Sequence, residues 1–368
     1  MNYYLKEIKP LNSRSNKTGG AKIRADVEKI LNKKNFTAIT LPNIPRLGNI
    51  DYISVSLLNH YRVKRLWQKK MAFLKEGDNL VIQFPLIIQH SIFLKRVLKS
   101  LTRKKIKIIL VIHDIESLRV TKRRDISVLK QFILNKEEKL FLKYAFKIIV
   151  HNSTMERYLI KQGFEKQRLI SIEIFDYLIS NFDIKKFKNR KISKDQPIII
   201  AGTLRYHKAS YIYHLPSDVK FNLYGVGYDE KIQQSNVNYN GAFSPEELPY
   251  RLNGSYGLVW DGDSTCSCTG IYGEYLRIND PHKLSLYLVA GLPVIIWKGA
   301  AQADFVRKNG CGLIIDSLLN IREITEVVSK TDYLLMQMQA IRIGNKLRKG
   351  VYLQKSLSRI KSGEYIEK

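Results

Sequence analysis

Cysteine is scarce in this sequence, which has three in 368 residues, at positions 266, 268 and 311. An odd number without a regular spacing excludes a disulfide-stapled secreted scaffold and indicates reduced thiols. Cys266 and Cys268 form a C-x-C pair, but a zinc site needs four ligands, and Cys311 and His282 would have to converge from distant positions. We therefore expect no metal and no resident cofactor.

Long apolar runs are also lacking. No stretch of about 18 uncharged apolar residues is present, so a transmembrane helix is not expected. The first residues, "MNYYLKEIKPLN", do not follow the basic-then-apolar order of a signal peptide. Both absences predict a cytoplasmic protein.

Acidic residues are few, 33 against 62 lysines and arginines, which gives a net charge of +29. Such an excess predicts attraction to a polyanion. Two basic runs, "YRVKRLWQKK" from Tyr61 and "LKRVLKSLTRKKIK" from Leu94, carry apolar residues at helical spacing, a pattern typical of a peripheral protein on an anionic inner membrane leaflet. A solvated basic surface is the alternative. No nucleic-acid-binding motif is present, and we expect no nucleic-acid partner.

Short apolar runs alternate with helical patterns twice along the chain, which predicts an α/β protein with two doubly wound sheets. The runs are "FTAITLP", "NLVIQFP", "IKIILVIHD" and "FKIIVHN" in the first series, and "PIIIAG", "VKFNLYG", "YGLVW", "PVIIW" and "CGLIID" in the second. We predict an N-terminal domain over residues 1–190, a C-terminal domain over 191–345, and a last helix over 346–368 that packs back on the first domain. Ligands bind such sheets beyond the carboxyl ends of the strands.

Candidate site residues of the first domain follow its strands. Gly19 and Gly20 precede a helix, where backbone can approach a ligand closely, although a plain tight turn is equally expected. Beyond "IKIILVI" come His113, Asp114 and Glu116, with Arg119 nearby. A carboxylate beside a histidine can take a proton from a hydroxyl nucleophile. The alternative for Asp114 is an Asx-turn.

The second domain offers cationic candidates. Arg205 follows "PIIIAGTL", where it can bind phosphate oxygens or form a surface salt bridge. Asp261 opens a glycine-containing segment that fits a loop closing over a substrate.

Lys283 lies in the predicted first turn of an apolar helix that begins "NDPHKLS". With Asp280 as N-cap and Pro281 at N1, the helix start presents free N–H groups and an ammonium. The macrodipole disfavours a cation there by roughly 0.3 to 1 kcal/mol, and a bound anion would explain it. The alternative is a lysine that extends to solvent.

These segments together resemble bacterial glycosyltransferases of the GT-B fold. "YGEYLRINDPHKLSLYLVAGLPVIIWKGAAQADFVRKNGCG" is similar to a block of the β-galactofuranosyltransferases of O-antigen and capsule assembly, and to streptococcal adhesin glucosyltransferases. "IHDIESLR" and "IVHNSTMERYLIKQGF" resemble amino-terminal segments of the first group. The resemblance covers roughly residues 80 to 350 and implies two Rossmann-like domains that face a central cleft.

The resemblance also implies site residues. Lys283 and Arg205 occupy diphosphate positions, while Tyr224 and Gly225 fall where the family holds uracil. The other expected donor-binding residues are Asp261, Asn279, His282, Leu284 and Ser285. Many GT-B enzymes have a ribose-binding Glu where this chain has Leu286.

The expected function is transfer of a hexosyl group from a UDP-sugar to a saccharide hydroxyl, inverting and without a metal. Galactofuranose is the favoured sugar and glucose is next; the acceptor is expected to be a lipid-linked glycan in cell-surface polysaccharide synthesis. A non-catalytic GT-B-like subunit that binds glycans or stabilises a partner is the alternative. The sequence leaves the oligomeric state open, a homo-oligomer included.

Overall fold

The computed structural model describes residues 1–8, 19–45, 53–120, 128–232 and 234–362. Its strands form two six-stranded sheets, one in each half of the chain. Every strand pair in both sheets is parallel. The prediction of two doubly wound α/β sheets is confirmed.

The first sheet has the strand order β2-β1-β3-β4-β5-β6. Its strands are β1 (Asn2–Glu7), β2 (Thr37–Leu41), β3 (Asn79–Phe84), β4 (Lys107–Ile112), β5 (Lys147–Val150) and β6 (Leu169–Ser171). The apolar runs predicted β2, β3, β4 and β5 but did not include β1. Those of β3, β4 and β5 are almost wholly buried, because helices cover both faces of a parallel sheet. The three-residue β6 was not predicted, since it is too short to show a pattern.

Helices cover the two faces of the first sheet unequally. They are α1 (Gly19–Lys33), α2 (Ile53–Lys70), α3 (Leu94–Arg103), α4 (Glu116–Val120), α5 (Val128–Tyr144) and α6 (Ser153–Lys161). Leu31 of α1 packs in one apolar cluster with Val81 and Val111. Trp67 of α2, Leu98 of α3 and Phe141 of α5 pack in a second cluster on the opposite face. Thus α2, α3 and α5 form the outer face of this half.

The second sheet has the order β12-β11-β10-β7-β8-β9. Its strands are β7 (Ile198–Thr203), β8 (Phe221–Val226), β9 (Val237–Tyr239), β10 (Gly257–Val259), β11 (Val294–Trp297) and β12 (Gly312–Ile315). The order reverses between β7 and β10, which makes this point the switch where ligands of doubly wound sheets bind. The short β9 was not predicted.

Among the described residues, the second half contains eight helices before α15 (Val351–Ser362). They are α7 (Ile184–Lys188), α8 (Tyr206–Ala209), α9 (Leu248–Arg251), α10 (Gly270–Tyr275), α11 (His282–Val289), α12 (Ala303–Asn309), α13 (Ile321–Glu326) and α14 (Lys330–Arg348). Residues Leu284 to Val289 of α11 are all buried. This helix packs against α14 and reaches α1 of the first half. Its predicted burial is confirmed.

The two halves are joined twice. The chain passes from β6 to β7 through residues 172–197, and α15 (Val351–Ser362) returns to contact α1 and β6. Asp176 in the connecting segment accepts hydrogen bonds from Tyr352 N at 3.2 Å and Leu353 N at 2.8 Å, so its carboxylate holds the first turn of α15. The helix α7 packs against α9 of the second half.

Within the described residues, no helix combines the length and the apolar character needed to cross a bilayer.

Tyr287 should be a measurable contributor to stability. Its buried hydroxyl accepts the Ala201 N–H at 2.7 Å. Tyr287→Phe leaves that buried N–H without this acceptor, which should lower the free energy of unfolding by about 1 to 3 kcal/mol. Urea denaturation measures it, with Tyr206→Phe as the control at a 66% exposed tyrosine. Equal midpoints for the two variants would contradict the assignment.

Candidate functional site

The site is a cavity of about 440 Å³ between the two halves, at the carboxyl ends of their strands. The first half contributes Gly20, Arg24, His113 and Asp114 to its lining. The second half contributes residues that follow β7 and β10 and those at the start of α11: Gly202, Thr203, Lys208, Asp261, Asn279, Asp280, Pro281, His282 and Lys283. The cavity therefore occupies the switch point of the second sheet.

Lys283 lies in the first turn of α11 and is largely buried, with 12% of its side chain exposed. Its Nζ donates to Trp260 O and to Asp261 Oδ1, both at 2.8 Å. Burial lowers the Lys283 pKa, and the Asp261 carboxylate opposes that effect. A bound anion was the expected reason for a lysine in the first turn of this helix. Asp261, a carboxylate of the protein itself, already provides a counter-charge to Lys283.

Lys208 adds a second cation to the same cavity. Its charge is close enough to contribute to lowering the Lys283 pKa. Arg205, the predicted phosphate ligand, is exposed at the start of α8 and packs beside Gly227. The described residues that line the cavity include Lys208 and not Arg205. Lys208, three residues after Arg205, is thus the cation following β7 that lines the cavity.

The start of α11 differs from the predicted cap. Pro281, not Asp280, is the N-cap residue. Asp280 Oδ2 instead accepts the Phe175 N–H of the connecting segment at 2.6 Å. Burial raises the pKa of Asp280 to about 7. A carboxylate that was expected to cap a helix thus ties that helix to the junction between the halves.

Two predicted donor ligands have structural roles. Leu284 is fully buried in the apolar core, and Ser285 Oγ donates to Phe175 O at 2.6 Å. The described cavity-lining residues do not include them. His282 does line the cavity, and its ring stacks on Tyr177 with centroids 4.8 Å apart. The first two residues therefore position α11, whereas His282 also faces the cavity.

A smaller cavity of about 100 Å³ adjoins the first and is mainly apolar. Its lining includes Gly225, Val226, Phe243, Leu248 and Leu286, and it shares Thr203, His282 and Lys283 with the larger one. Gly225 has φ of 144°, and a Cβ there would lie 1.7 Å from Gly202 O. Only glycine fits at this position, since a side chain would displace the neighbouring strand.

Tyr224 was expected where the family holds uracil, but the described lining of the two cavities does not include it. It is buried, and its hydroxyl accepts the Asn253 N–H at 3.2 Å. Alternation along β8 explains this, because neighbouring side chains on a strand lie on opposite faces. Gly225 alone of this pair contributes to the lining of the smaller cavity among the described residues.

The first half presents His113 and Asp114 to the cavity. His113 lies 2.7 Å through Nε2 from Gln83 Oε1, an acceptor, so Nε2 carries the proton. Burial, and secondarily the charge of Arg24, hold the His113 pKa well below its ordinary value. The imidazole is therefore neutral. Asp114 is half-buried beside it.

The remaining predicted residues are dispersed. Glu116 begins α4, and the described residues that line the cavity do not include it. Gly20 lines the cavity and Gly19 begins α1. Arg119 belongs to α4, but its side chain lies outside what the structure describes.

Sequence reasoning missed Arg24 and Tyr275, which also line the cavity. Arg24 is on α1, and its guanidinium donates to Pro85 O. Tyr275 of the second half accepts the Ile115 N–H of the first half at 2.8 Å through its hydroxyl. Neither follows a strand directly, so the rule that selected the other candidates did not reach them.

Within the described part of the chain, no three His, Cys, Asp or Glu side chains form a group that could hold a metal ion.

Comparison with known families matches both halves of the chain. The model of the glucosyltransferase 3-like N-terminal domain matches residues 3–174, and that of the C-terminal domain matches residues 198–360. The β-1,6-galactofuranosyltransferase WbbI of Escherichia coli K12 is 32% identical over 354 residues, which cover 94% of this chain and 95% of WbbI. The chain belongs to the glucosyltransferase 3-like family. It is a glycosyltransferase.

Further relatives agree with this placement. Glucosyltransferase 3 of Streptococcus gordonii is 32% identical over 130 residues, 35% of this chain and 38% of that protein. The lipopolysaccharide outer core galactosyltransferase WaaB has a similar structure, with a TM-score of 0.61, 12% identity and coverage of 99% of this chain and 100% of WaaB. Anabaena HepE in complex with UDP has a TM-score of 0.57 at 14% identity, covering 99% and 100% of the two chains. These structures confirm the GT-B fold.

Asp280 should make stability depend on pH. Its folded pKa of about 7 lies above the ordinary 3.8, so the folded protein keeps a proton that the unfolded chain has released, and stability falls as pH rises through that window. Asparagine does not ionise, so the free energy of unfolding of Asp280→Asn relative to wild type should rise across the window. Denaturation at stepped pH measures the difference.

The exposed Asp316, paired with Lys298, provides the control substitution Asp316→Asn. Parallel curves for Asp280→Asn and wild type would contradict the raised pKa.

Proposed function

We propose that the protein transfers a hexosyl group, galactofuranosyl first and glucosyl next, from a UDP-sugar to a saccharide hydroxyl, with inversion and without a metal. The observation that carries this proposal is the composition of the central cavity. Cations of the second half, Lys283 and Lys208, line the same open cleft as a carboxylate of the first half, Asp114. The WbbI relative supports the choice of galactofuranose, and the UDP complex of HepE supports the choice of nucleotide.

In the proposed complex the donor spans the two adjoining cavities. The uracil and ribose occupy the smaller apolar cavity beside Gly225 and Leu286, and the diphosphate lies where the cavities meet, at Lys283. Leu286 has no polar atom for the ribose, so backbone groups of the neighbouring turns take that role. The sugar then extends into the larger cavity toward Asp114.

The diphosphate is held by charge and by the helix start. The N-terminus of α11 lines the cavity through Pro281 and His282, and its partly free N–H groups favour an anion. Asp261 keeps Lys283 extended along the cavity wall before the donor binds. Phosphate oxygens then share the ammonium with Asp261, and Lys208 supplies the second positive charge.

The transfer is a single displacement in which Asp114 is the base. The acceptor hydroxyl oxygen bonds to the anomeric carbon, the bond from that carbon to the UDP oxygen breaks, and the hydroxyl proton moves to the Asp114 carboxylate. Negative charge develops on the leaving UDP next to Lys283 and Lys208, which stabilises the transition state. His113 is neutral, so it places no positive charge beside the Asp114 carboxylate that accepts the proton.

The acceptor is a lipid-linked glycan at the inner leaflet, and the product enters cell-surface polysaccharide such as O-antigen or capsule. The protein acts in the cytoplasm as a peripheral membrane enzyme. A non-catalytic subunit is the second candidate. The pairing of a buried lysine with a facing carboxylate in one cavity favours the enzyme, because a binding subunit has no need of a base.

Incubation with a panel of UDP-sugars and acceptor glycans should release UDP with UDP-galactofuranose above all others. Mass spectrometry of the product identifies the sugar, and NMR of the new linkage identifies inversion. Chelator should leave the rate unchanged. A thermal shift with UDP but no turnover across the panel would favour the non-catalytic subunit.

Substitution of Asp114 should separate chemistry from binding. Asp114→Asn keeps the shape but removes the base, so kcat should fall by about 100-fold or more while UDP affinity changes little. Glu116→Gln is the matched control, since this second candidate carboxylate does not belong to the described cavity lining. If Glu116→Gln lowers kcat and Asp114→Asn does not, the base is Glu116.

Substitution of Lys283 should weaken the donor site. Lys283→Met alone leaves Asp261 buried without its counter-charge, so it is paired with Asp261→Asn in a double variant. The double variant should retain its fold by circular dichroism, and UDP affinity by calorimetry should fall about tenfold or more. Undiminished UDP binding in a folded double variant would remove the diphosphate assignment.

A further inference from the structure

The outer face of the first half carries charge of one sign. Helices α2, α3 and α5 lie side by side there, and α3 contacts both of the others. They carry five, four and four lysine or arginine residues respectively. We call the outward surface of these three helices the basic helical face.

Carboxylates on these helices do not balance that charge. The sequences of α2 and α3 contain none, and α5 contains Glu137 and Glu138. Both are buried, 2% and 6% exposed. Glu137 accepts the Ser91 N–H at 2.7 Å, and Glu138 accepts the Ser117 N–H at 3.0 Å. The acidic side chains thus face inward, whereas the described basic side chains of α3 and α5 are exposed: Lys95, Arg96, Lys99, Arg103, Lys136, Lys139 and Lys143.

Large apolar side chains are exposed on two helices of the basic helical face. Leu58 and Tyr61 in the first half of α2 are 48% and 44% exposed, and Phe132 in the first turns of α5 is 60% exposed. Lys64 lies over the Tyr61 ring at 4.9 Å, and Lys136 over the Phe132 ring at 5.8 Å. An apolar side chain with a lysine above it is the arrangement that suits a bilayer interface, where the ammonium stays with the headgroups.

Leu58, Tyr61 and Phe132 lie in the half of each helix that is nearer the cavity. Helices α2 and α5 begin after the carboxyl ends of their strands, and the central cavity lies at the same edge of the sheet. A flat surface that contacted both the exposed apolar residues and the basic rows would therefore pass the mouth of the cleft.

We propose that the basic helical face docks on a bilayer that contains anionic lipids, with Leu58, Tyr61 and Phe132 entering the interface. The positive charge complements anionic headgroups, and the exposed aliphatic Leu58 favours a bilayer over a nucleic acid, because bases stack on aromatic rings and gain little from an aliphatic side chain. The delivery of a lipid-linked acceptor to the cleft rests on the proposed function. The docking itself does not depend on turnover.

Vesicle flotation tests the docking with the full chain. Wild type should float with phosphatidylcholine vesicles that contain phosphatidylglycerol and stay behind with phosphatidylcholine alone. A variant that neutralises α3, with Lys95→Gln, Arg96→Gln, Lys99→Gln and Arg103→Gln, should lose at least about 100-fold in vesicle affinity. Because these side chains are exposed, its melting temperature should stay near that of wild type.

The matched control removes the same charge from the second half, with Lys231→Gln, Lys308→Gln, Lys330→Gln and Lys346→Gln at exposed positions. The lower net charge alone should change its vesicle affinity by no more than about twofold. A third variant, Leu58→Ser with Phe132→Ser, should bind at low salt and dissociate as salt rises, since only the screened attraction remains.

Equal loss in the α3 variant and the control would overturn the proposal, since it would reduce the effect to net charge. Equal flotation with and without phosphatidylglycerol would also overturn it, as would tight binding to duplex DNA or RNA with no vesicle binding. UDP release with a soluble acceptor should be the same in all four proteins. Failure of that reaction alongside intact flotation would remove the proposed function and leave the docking in place.

Discussion

Helix α11 is held by bonds to three different parts of the chain, and the geometry of the site depends on that restraint. Asp280, just before the helix, and Ser285 both bind Phe175 of the connecting segment, and Lys283 binds the turn after β10. Tyr287, one turn further on, binds the backbone of β7. A helix fixed by bonds in several directions cannot rotate or slide without breaking buried hydrogen bonds, each of which is costly to leave unmade. Its amino end therefore has one position in the cleft.

The electrostatics of the cleft follow from the same burial. A lysine taken out of water needs a counter-charge, and Asp261 supplies it within the protein. Burial acts in the same way at the connecting segment, where it raises the pKa of Asp176 to about 7, and on Asp26 of α1, which contacts that segment and has a pKa raised to about 6. These groups lie among backbone N–H donors and Lys22 rather than in solvent. The junction between the halves is consequently held by directional hydrogen bonds between polar groups as well as by apolar packing.

Much of the architecture could be predicted because buried parallel strands leave a strong signal. Runs such as "NLVIQFP" have no other reading in an alternating α/β pattern. The strands β6 and β9 could not be predicted, since three residues carry no periodicity. The site was harder for a different reason. Position after a strand selected His113 and Asp114, and the predicted helix start selected Lys283, and all three line the cavity. Position alone cannot tell which of several neighbouring side chains faces inward.

Arg205 and Lys208 illustrate that ambiguity. They are separated by less than one helical turn, and the tight turn before α8 decides which one reaches the cavity. Asp280 illustrates a second kind of ambiguity. Its local sequence fits a helix cap, but its carboxylate accepts a hydrogen bond from Phe175, 105 positions away. Arg24 had no local signal at all, since it lies within an ordinary helix. Contacts of this kind depend on the tertiary arrangement and are invisible to nearest-neighbour patterns.

The return of α15 to the first half bears on how the chain acquires its shape during translation. Domains generally fold in the order in which they leave the ribosome. Here the amino-terminal half receives one of its packing partners, and Asp176 two of its donors, from residues 351–353. That half stays incompletely covered on the side of α1 until α15 has been synthesised. Nascent chains stalled before this last helix are thus the ones that would most need a chaperone.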